Sequence, residues 1–305
     1  MILSLSHIDL DGYVCQFILQ KEYGNIVKYN TNYNKINEYI DIIHDKLSYD
    51  RTISMVYITD LSFNQDQYSY FIRLVKEFPD INFVFIDHHP RQFEVVKCKN
   101  IIHVIKETKS ASLQLAEHFD GVTDFVEAVN AFDTWQTDSK YFKYGLMLNT
   151  LFWDYKAKRF SYVFKDMHKP SQREVSDYKE ILEKKNKHFE TLRSKGLLAE
   201  SKGVLISFTD KYLNWIQLDY PNKLYYINAT SYGTINVRIS EEVEEQKTKE
   251  LKKQIAGSLS SEEWFVDMGG HDRAFGISHN EHNDHNVIVE CVKMIFEDIK
   301  RIEGV

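Results

Sequence analysis

The feature that most limits how this chain can fold is a rhythm. Short apolar, β-favouring runs each end in an acidic or imidazole side chain, and segments of helical spacing separate them. The sharpest instance is F-V-F-I-D-H-H-P, where Asp87, His88 and His89 follow an apolar run directly. Strands are predicted at 2–6, 26–29, 53–59, 81–86 and 101–105, with helices at 13–23, 36–47 and 65–78 between them and at 110–119 and 122–131 after them. Such alternation predicts an α/β fold with a mainly parallel sheet flanked by helices. Ligands of open α/β sheets gather outside the carboxyl ends of the strands, so polar residues at those ends are the first place to look for chemistry.

Four segments carry such residues. The first, S-H-I-D-L-D-G, sets His7, Asp9 and Asp11 at alternate positions. If the chain stays extended there, all three share one face until Gly12 breaks the strand. The second is Asp60 after the run 53–59, the third is Asp87-His88-His89, and the fourth is Asp133 in A-F-D-T-W. Each aspartate alone could simply cap a helix or turn. Parallel strands, however, would bring several of these ends to one rim. An oxygen-rich set with a few imidazoles suits manganese or magnesium better than structural zinc.

The remaining chain is expected to form a helical connector and a smaller second domain. Residues from 142 to about 196 are helical by pattern, heavily charged after Lys165 and interrupted by Pro170. Strands are predicted at 204–208, 223–229 and 234–240 and helices at 248–255 and 286–302, with D-M-G-G-H-D-R-A-F-G as a loop among them. The division is therefore 1–165, 166–200 and 201–305, consistent with a length of 305 residues that is long for a single core.

Composition narrows the partners. A formal charge of -7 disfavours tight, non-specific binding to long nucleic acid, yet remains compatible with a small phosphate ligand. No apolar run approaches the roughly 20 residues that span a bilayer, and no basic region precedes the short apolar N-terminal run, so a cytoplasmic protein is expected. Cys15, Cys98 and Cys291 lie far apart and read as reduced residues. His279, His282 and His285 sit among Asn and Asp, which reads as a solvated loop, while Phe132 and Trp135 read as packing around Asp133.

The order H-x-D-x-D-G, strand-Asp, D-H-H, Asp before Trp, then G-G-H resembles the DHH phosphoesterase superfamily with its DHH-associated C-terminal domain. The likeness runs from His7 to Gly276. It implies two manganese ions, magnesium being the substitute. His7 and Asp9 would hold one ion, Asp11, His88 and Asp133 the other, and Asp60 would bridge them. Asp87 would orient a histidine from behind, and His89 would face the substrate phosphate. In the second domain the resemblance turns Gly269, Gly270, His271 and Arg238 toward substrate, and Arg273 is a further candidate for which a surface role is the alternative. One departure stands out: the family run has three glycines before its histidine, and Met268 occupies the first position.

The implied activity is hydrolysis of short oligonucleotides to mononucleotides, by attack on phosphorus between two metal ions. Cyclic dinucleotides or nucleoside 3',5'-bisphosphates are the alternative substrates, and a nucleotide-sequestering binding protein is the non-enzymatic alternative. Aromatic stacking on a base could come from Tyr232. A monomer or homodimer is expected, with no membrane partner, in a bacterial cell or as a phage protein in its host's cytoplasm.

Overall fold

The computed structural model describes residues 1–201, 203–209, 223–230, 234–240, 242–271, 273–279 and 285–303. The chain divides into two compact units, Met1–Tyr178 and Lys179–Val305.

The first unit is built on a parallel sheet of β1 (Ile2–His7), β2 (Ile26–Thr31), β3 (Met55–Thr59), β4 (Asn82–Asp87) and β5 (Ile101–Ile105), in the order β2-β1-β3-β4-β5. After β2 the chain crosses to the other side of β1, so β1 and β3 flank the switch point of a doubly wound sheet. Strand side chains alternate between faces. Leu3, Leu5, Val56, Ile58, Phe83 and Phe85 turn toward a core shared with α2 (Ile36–Tyr49) and α3 (Gln65–Glu77). The helices α1 (Leu10–Tyr23), α4 (Ala111–His118), α5 (Asp124–Asp133) and α6 (Phe142–Phe164) pack among themselves. At the α5–α6 crossing Gly145 is indispensable, because a Cβ there would lie 1.9 Å from the Ala128 carbonyl oxygen.

Two expectations change here. The strand β1 stops at His7 and does not continue to Asp11. Asp9 is the N-cap of α1, its carboxylate accepting the Gly12 N–H at 3.1 Å, and Asp11 and Gly12 belong to the first helical turn. Capping satisfies a helix-start donor that an extended run would leave unpaired, and that preference overrides the period-two reading. The helical stretch from Phe142 also breaks at Lys156, whose φ of 57° and ψ of 158° lie far from helical values.

The second unit holds a six-stranded sheet of β6 (Leu198–Ser201), β7 (Val204–Thr209), β8 (Tyr225–Thr230), β9 (Ile235–Ile239), β10 (Phe265–His271) and β11 (Ala274–His279), in the order β10-β11-β9-β8-β7-β6. Among the described residues only β7 and β8 of this sheet pair in parallel. The helices α8 (Glu245–Leu259) and α9 (His285–Glu303) close one face, where Leu251, Ile255, Ile288 and Ile295 meet Ile227, Val237 and Ile277. The remaining helix is α7 (Gln172–Ser194).

The G-G-H segment corrects a further expectation: it is a strand, not a loop. Gly269 and Gly270 lie on β10, in register with Gly276 and Phe275 of β11. Met268, alternating with Gly269, packs against the apolar core, which accounts for a large side chain at this position. Among the described residues no helix is long and apolar enough to cross a membrane.

Candidate metal centre

The carboxyl ends of three adjacent strands deliver the expected residues. His7 ends β1, Asp60 follows β3, and Asp87 ends β4, with His88 and His89 immediately after it. Asp133 arrives separately, as the last residue of α5.

Local chemistry explains each placement. Ser6 Oγ donates to the Gly12 carbonyl at 2.8 Å and lies 2.7 Å from Thr59 Oγ1, which ties the first turn of α1 to the ends of β1 and β3. Gly12 itself must lack a side chain, since a Cβ would come 2.4 Å from the His7 carbonyl oxygen. Asp60 adopts φ 57°, a left-handed conformation that turns the chain sharply out of β3 while its N–H still donates to the Ile86 carbonyl at 2.9 Å. Aspartate tolerates this region better than most residues, and such local strain is concentrated at functional sites. Trp135, two residues past Asp133, is also left-handed at φ 60°. Its ring packs against Phe132 and Phe142, the packing role read from the sequence.

Three overlapping donor groups result: His7, Asp9 and Asp60; Asp60, His88 and His89; and Asp11, His88 and Asp133. In each, one ligand atom per residue lies within 4.8 Å of the others. Asp60 and His88 each belong to two groups. His88 Nε2 is 3.4 Å from Asp60 Oδ1 and 3.1 Å from Asp133 Oδ2, and His7 Nδ1 is 2.8 Å from Asp9 Oδ2 and 3.8 Å from Asp60 Oδ2.

Among the described residues, His7 Nδ1, Asp60 Oδ2 and Asp133 Oδ2 are buried without a hydrogen-bond partner of ordinary geometry. Buried polar atoms without partners are costly, and lone pairs converging on a common space are what a cation requires. The donors therefore fit divalent ions, hard or borderline in character.

The electrostatics point the same way. Burial, reinforced by the charges of Asp9, Asp11 and Asp133, pushes the Asp60 carboxyl well above the usual carboxylate range. Burial together with Asp11, Asp9 and Asp87 does the same to Asp133. Burial carries Asp11 up to about 6, against the Ser112 hydrogen bonds that pull it down. Asp9 moves the other way: burial raises it, but the facing His7 ring and the Gly12 N–H hold it below its ordinary value.

Asp87 and His89 form a separate pair. His89 Nδ1 is 2.8 Å from Asp87 Oδ1. Burial raises the Asp87 carboxyl, yet His89 holds it down; burial lowers His89, yet Asp87 holds it up.

Four supporting residues are not legible in the sequence. Ser112 and the Ala111 N–H at the start of α4 both donate to the Asp11 carboxylate, Ala111 at 2.8 Å. Gln114 Nε2 gathers the carbonyls of Asp87, Lys106 and Lys109 at 3.0, 3.1 and 2.8 Å, which fixes the end of β4. The Tyr33 hydroxyl meets His89 Nε2 at 3.1 Å. The S-A-S-L-Q run marks a helix start at Ser110, but nothing in it points to an aspartate about a hundred residues earlier.

In the second unit Arg238 lies on β9, in register with Tyr226 on one side and Ala274 on the other. Arg273, between β10 and β11, donates to the carbonyls of Ser240 at 2.6 Å and Val243 at 2.8 Å. His271 ends β10. Tyr232 and His282 lie outside the described residues.

No family model matches the chain. It is 26% identical over 159 residues to a 3',5'-cyclic-nucleotide phosphodiesterase of Helicobacter pylori, a match covering 46% of this chain and 45% of that protein. The matched stretch thus spans less than half the length of that curated relative. Among solved structures, the DHH domain of a member of a family of ribosomal proteins superposes with a TM-score of 0.63 at 14% identity, over 98% of this chain and 86% of that one. A pGpG-specific phosphodiesterase of Vibrio cholerae, PggH, superposes with a TM-score of 0.55 at 16% identity, over 98% of this chain and 100% of that one. The chain shares its fold with these two solved structures, one of them a DHH domain.

Proposed function

We propose that the chain is a divalent-metal-dependent phosphodiesterase that cleaves short linear oligonucleotides, dinucleotides first, to mononucleotides. The observation that carries this reading is the convergence of the three donor groups, two of which share Asp60 and two of which share His88. In this reading His7 and Asp9 hold one ion, Asp11, His88 and Asp133 hold a second, and Asp60 serves both. Manganese is the ion proposed, with magnesium as a substitute. Divalent ions bound there supply a water of lowered pKa and offset the charge that gathers on phosphate oxygens during attack.

The protein's own groups do the rest. Asp87 accepts from His89 Nδ1 and so fixes which ring nitrogen is turned outward. In its doubly protonated form His89 donates from Nε2 to an oxygen of the departing group. We assign recognition of a substrate phosphate to Arg238, whose planar fork suits two oxygens at once, and to Gly269, Gly270 and His271 on β10. Arg273 supports them by holding the Ser240 and Val243 carbonyls just after β9.

Linear dinucleotides are favoured because PggH, which matches over nearly the whole chain, is named for pGpG. A second reading, hydrolysis of a cyclic nucleotide, is favoured by the name of the Helicobacter pylori relative. The test is hydrolysis, in manganese and in magnesium, of pGpG, other dinucleotides, three- to five-residue oligonucleotides, cyclic mono- and dinucleotides and nucleoside 3',5'-bisphosphates. Cleavage of dinucleotides that disappears in Asp60→Ala and His88→Ala supports the proposal. Preference for cyclic substrates transfers it to the second reading, and an inert wild type across the panel overturns both.

A further inference from the structure

We infer that Tyr33 is a positioning residue for His89, holding that ring in the one orientation in which it can face a phosphate; the inference rests on the reaction proposed above. Tyr33 opens a short 3-10 turn, Tyr33–Lys35, between β2 and α2, remote in sequence from every site motif. Its hydroxyl lies 3.1 Å from His89 Nε2, while Asp87 occupies His89 Nδ1 at 2.8 Å. Both ring nitrogens are therefore engaged, one by a carboxylate and the other by a phenol. The arrangement holds in either protonation state, because neutral His89 accepts the phenolic O–H and protonated His89 donates to the phenolic oxygen.

The tyrosine is itself fixed from three directions. Its ring stacks on His7, with centroids 4.5 Å apart and planes 23° apart, and meets the His89 ring edge-on at 5.7 Å and 80°. Its backbone carbonyl accepts Gln67 Nε2 at 2.8 Å, and Gln67 is locked in turn by the capping box at the start of α3. One side chain thus spaces the imidazole that ends β1 from the one that follows β4. The consequence for chemistry is selective. His89 is near enough to Asp60 and His88 to complete a donor group. The phenol claims its Nε2 instead, and protonated His89 can share that N–H between the phenolic oxygen and a phosphate oxygen on the same edge of the ring.

The test compares Tyr33→Phe, which keeps the ring stack and loses only the hydroxyl, with the wild type and with the same change made in a His89→Gln background. If Tyr33 acts through His89, Tyr33→Phe lowers kcat on the cleaved dinucleotide by about ten- to a hundredfold with KM nearly unchanged. It then costs nothing further once His89 is gone, because contacting residues that act as a unit are non-additive. A second measurement is independent of turnover. In long-range nitrogen–proton spectra of the metal-free protein, the His89 Nε2 resonance moves in Tyr33→Phe while the Asp87-bound Nδ1 does not. An equal loss of kcat in both backgrounds, or an unmoved Nε2 resonance, overturns the inference. If wild-type protein cleaves nothing in the panel but the Nε2 resonance still moves, the proposed reaction fails and the Tyr33–His89 pairing stands.

Discussion

Asp11 and Ser112, about a hundred residues apart in the chain, are joined in the buried interior: the carboxylate accepts both the hydroxyl and, at 3.3 Å, the N–H of Ser112. The same carboxylate takes the Ala111 N–H at 2.8 Å, so it completes the N-terminus of α4 while also belonging to the group with His88 and Asp133. A helix N-terminus favours negative charge through its unpaired N–H groups and dipole.

Ser112→Ala removes one buried hydrogen bond to a charged group, which costs about 1.5–3 kcal/mol. The expected result in urea unfolding is a lower midpoint with an unchanged slope. Calorimetric titration with manganese should show weakening of one binding event and not of the other, because Asp11 is proposed at only one ion.

That pairing also marks where the sequence stops being informative. The strands of the first sheet, the polar residues at their ends and the helices between them were legible, because period and propensity are local. The junction of β1 and α1 is ambiguous in sequence, since an alternating H-x-D-x-D reads equally as a strand face and as a cap with a first helical turn. Placement of Ser112 on Asp11, of Gln114 on Asp87 and of Tyr33 on His89 depends on how α4 and the 3-10 turn pack, and no pattern within those segments encodes it. β10 was hidden for the opposite reason. Glycines weaken a strand signal, so the G-G-H run read as a loop even though β11 supplies a partner along its length.

Removal of divalent ions should lower stability. With no cation, Asp60 and Asp133 are buried beside other carboxylates, and each pays for that proximity in a carboxyl held well above its ordinary range. An ion that binds only the folded state adds about 2.7 kcal/mol at a concentration a hundred times its dissociation constant. Thermal unfolding should therefore shift upward in manganese, return on addition of a chelator, and shift much less in Asp60→Ala. A wild-type transition indifferent to both ion and chelator would contradict the assignment of these residues to metal.

A pH effect is expected away from the site. His44 on α2 lies 2.9 Å from Glu77 at the end of α3, and that hydrogen bond, with Asp45 assisting, raises the His44 pKa above 6.5. A histidine raised in the folded state contributes stability that is complete below the unfolded value and is lost as pH rises through the folded one. The pair is largely exposed, so its worth is about 0.2–1 kcal/mol. Glu77→Gln should lower the melting temperature at pH 6 and leave it almost unchanged at pH 8.5. Equal losses at both pH values would mean that the contact is not an ionic one.

Two glycines should respond oppositely to the same substitution. At Gly12 a methyl group would meet the His7 carbonyl oxygen at 2.4 Å, and also the His7 backbone carbon and nitrogen at 2.9 Å, none of which can move without displacing β1. Overpacking of this kind costs about 1–3 kcal/mol, and here the strain falls between His7 and Asp11. Gly12→Ala should therefore lose metal affinity and activity together with stability. Gly257, exposed within α8, has nothing within 4 Å of the same added methyl. Its replacement by alanine should raise stability by about 0.5–1 kcal/mol, since alanine loses less chain entropy than glycine in a helix. Paired denaturation curves and manganese titrations separate the two cases. If Gly12→Ala binds manganese as the wild type does, the close approach of α1 to β1 is not what positions Asp9 and Asp11.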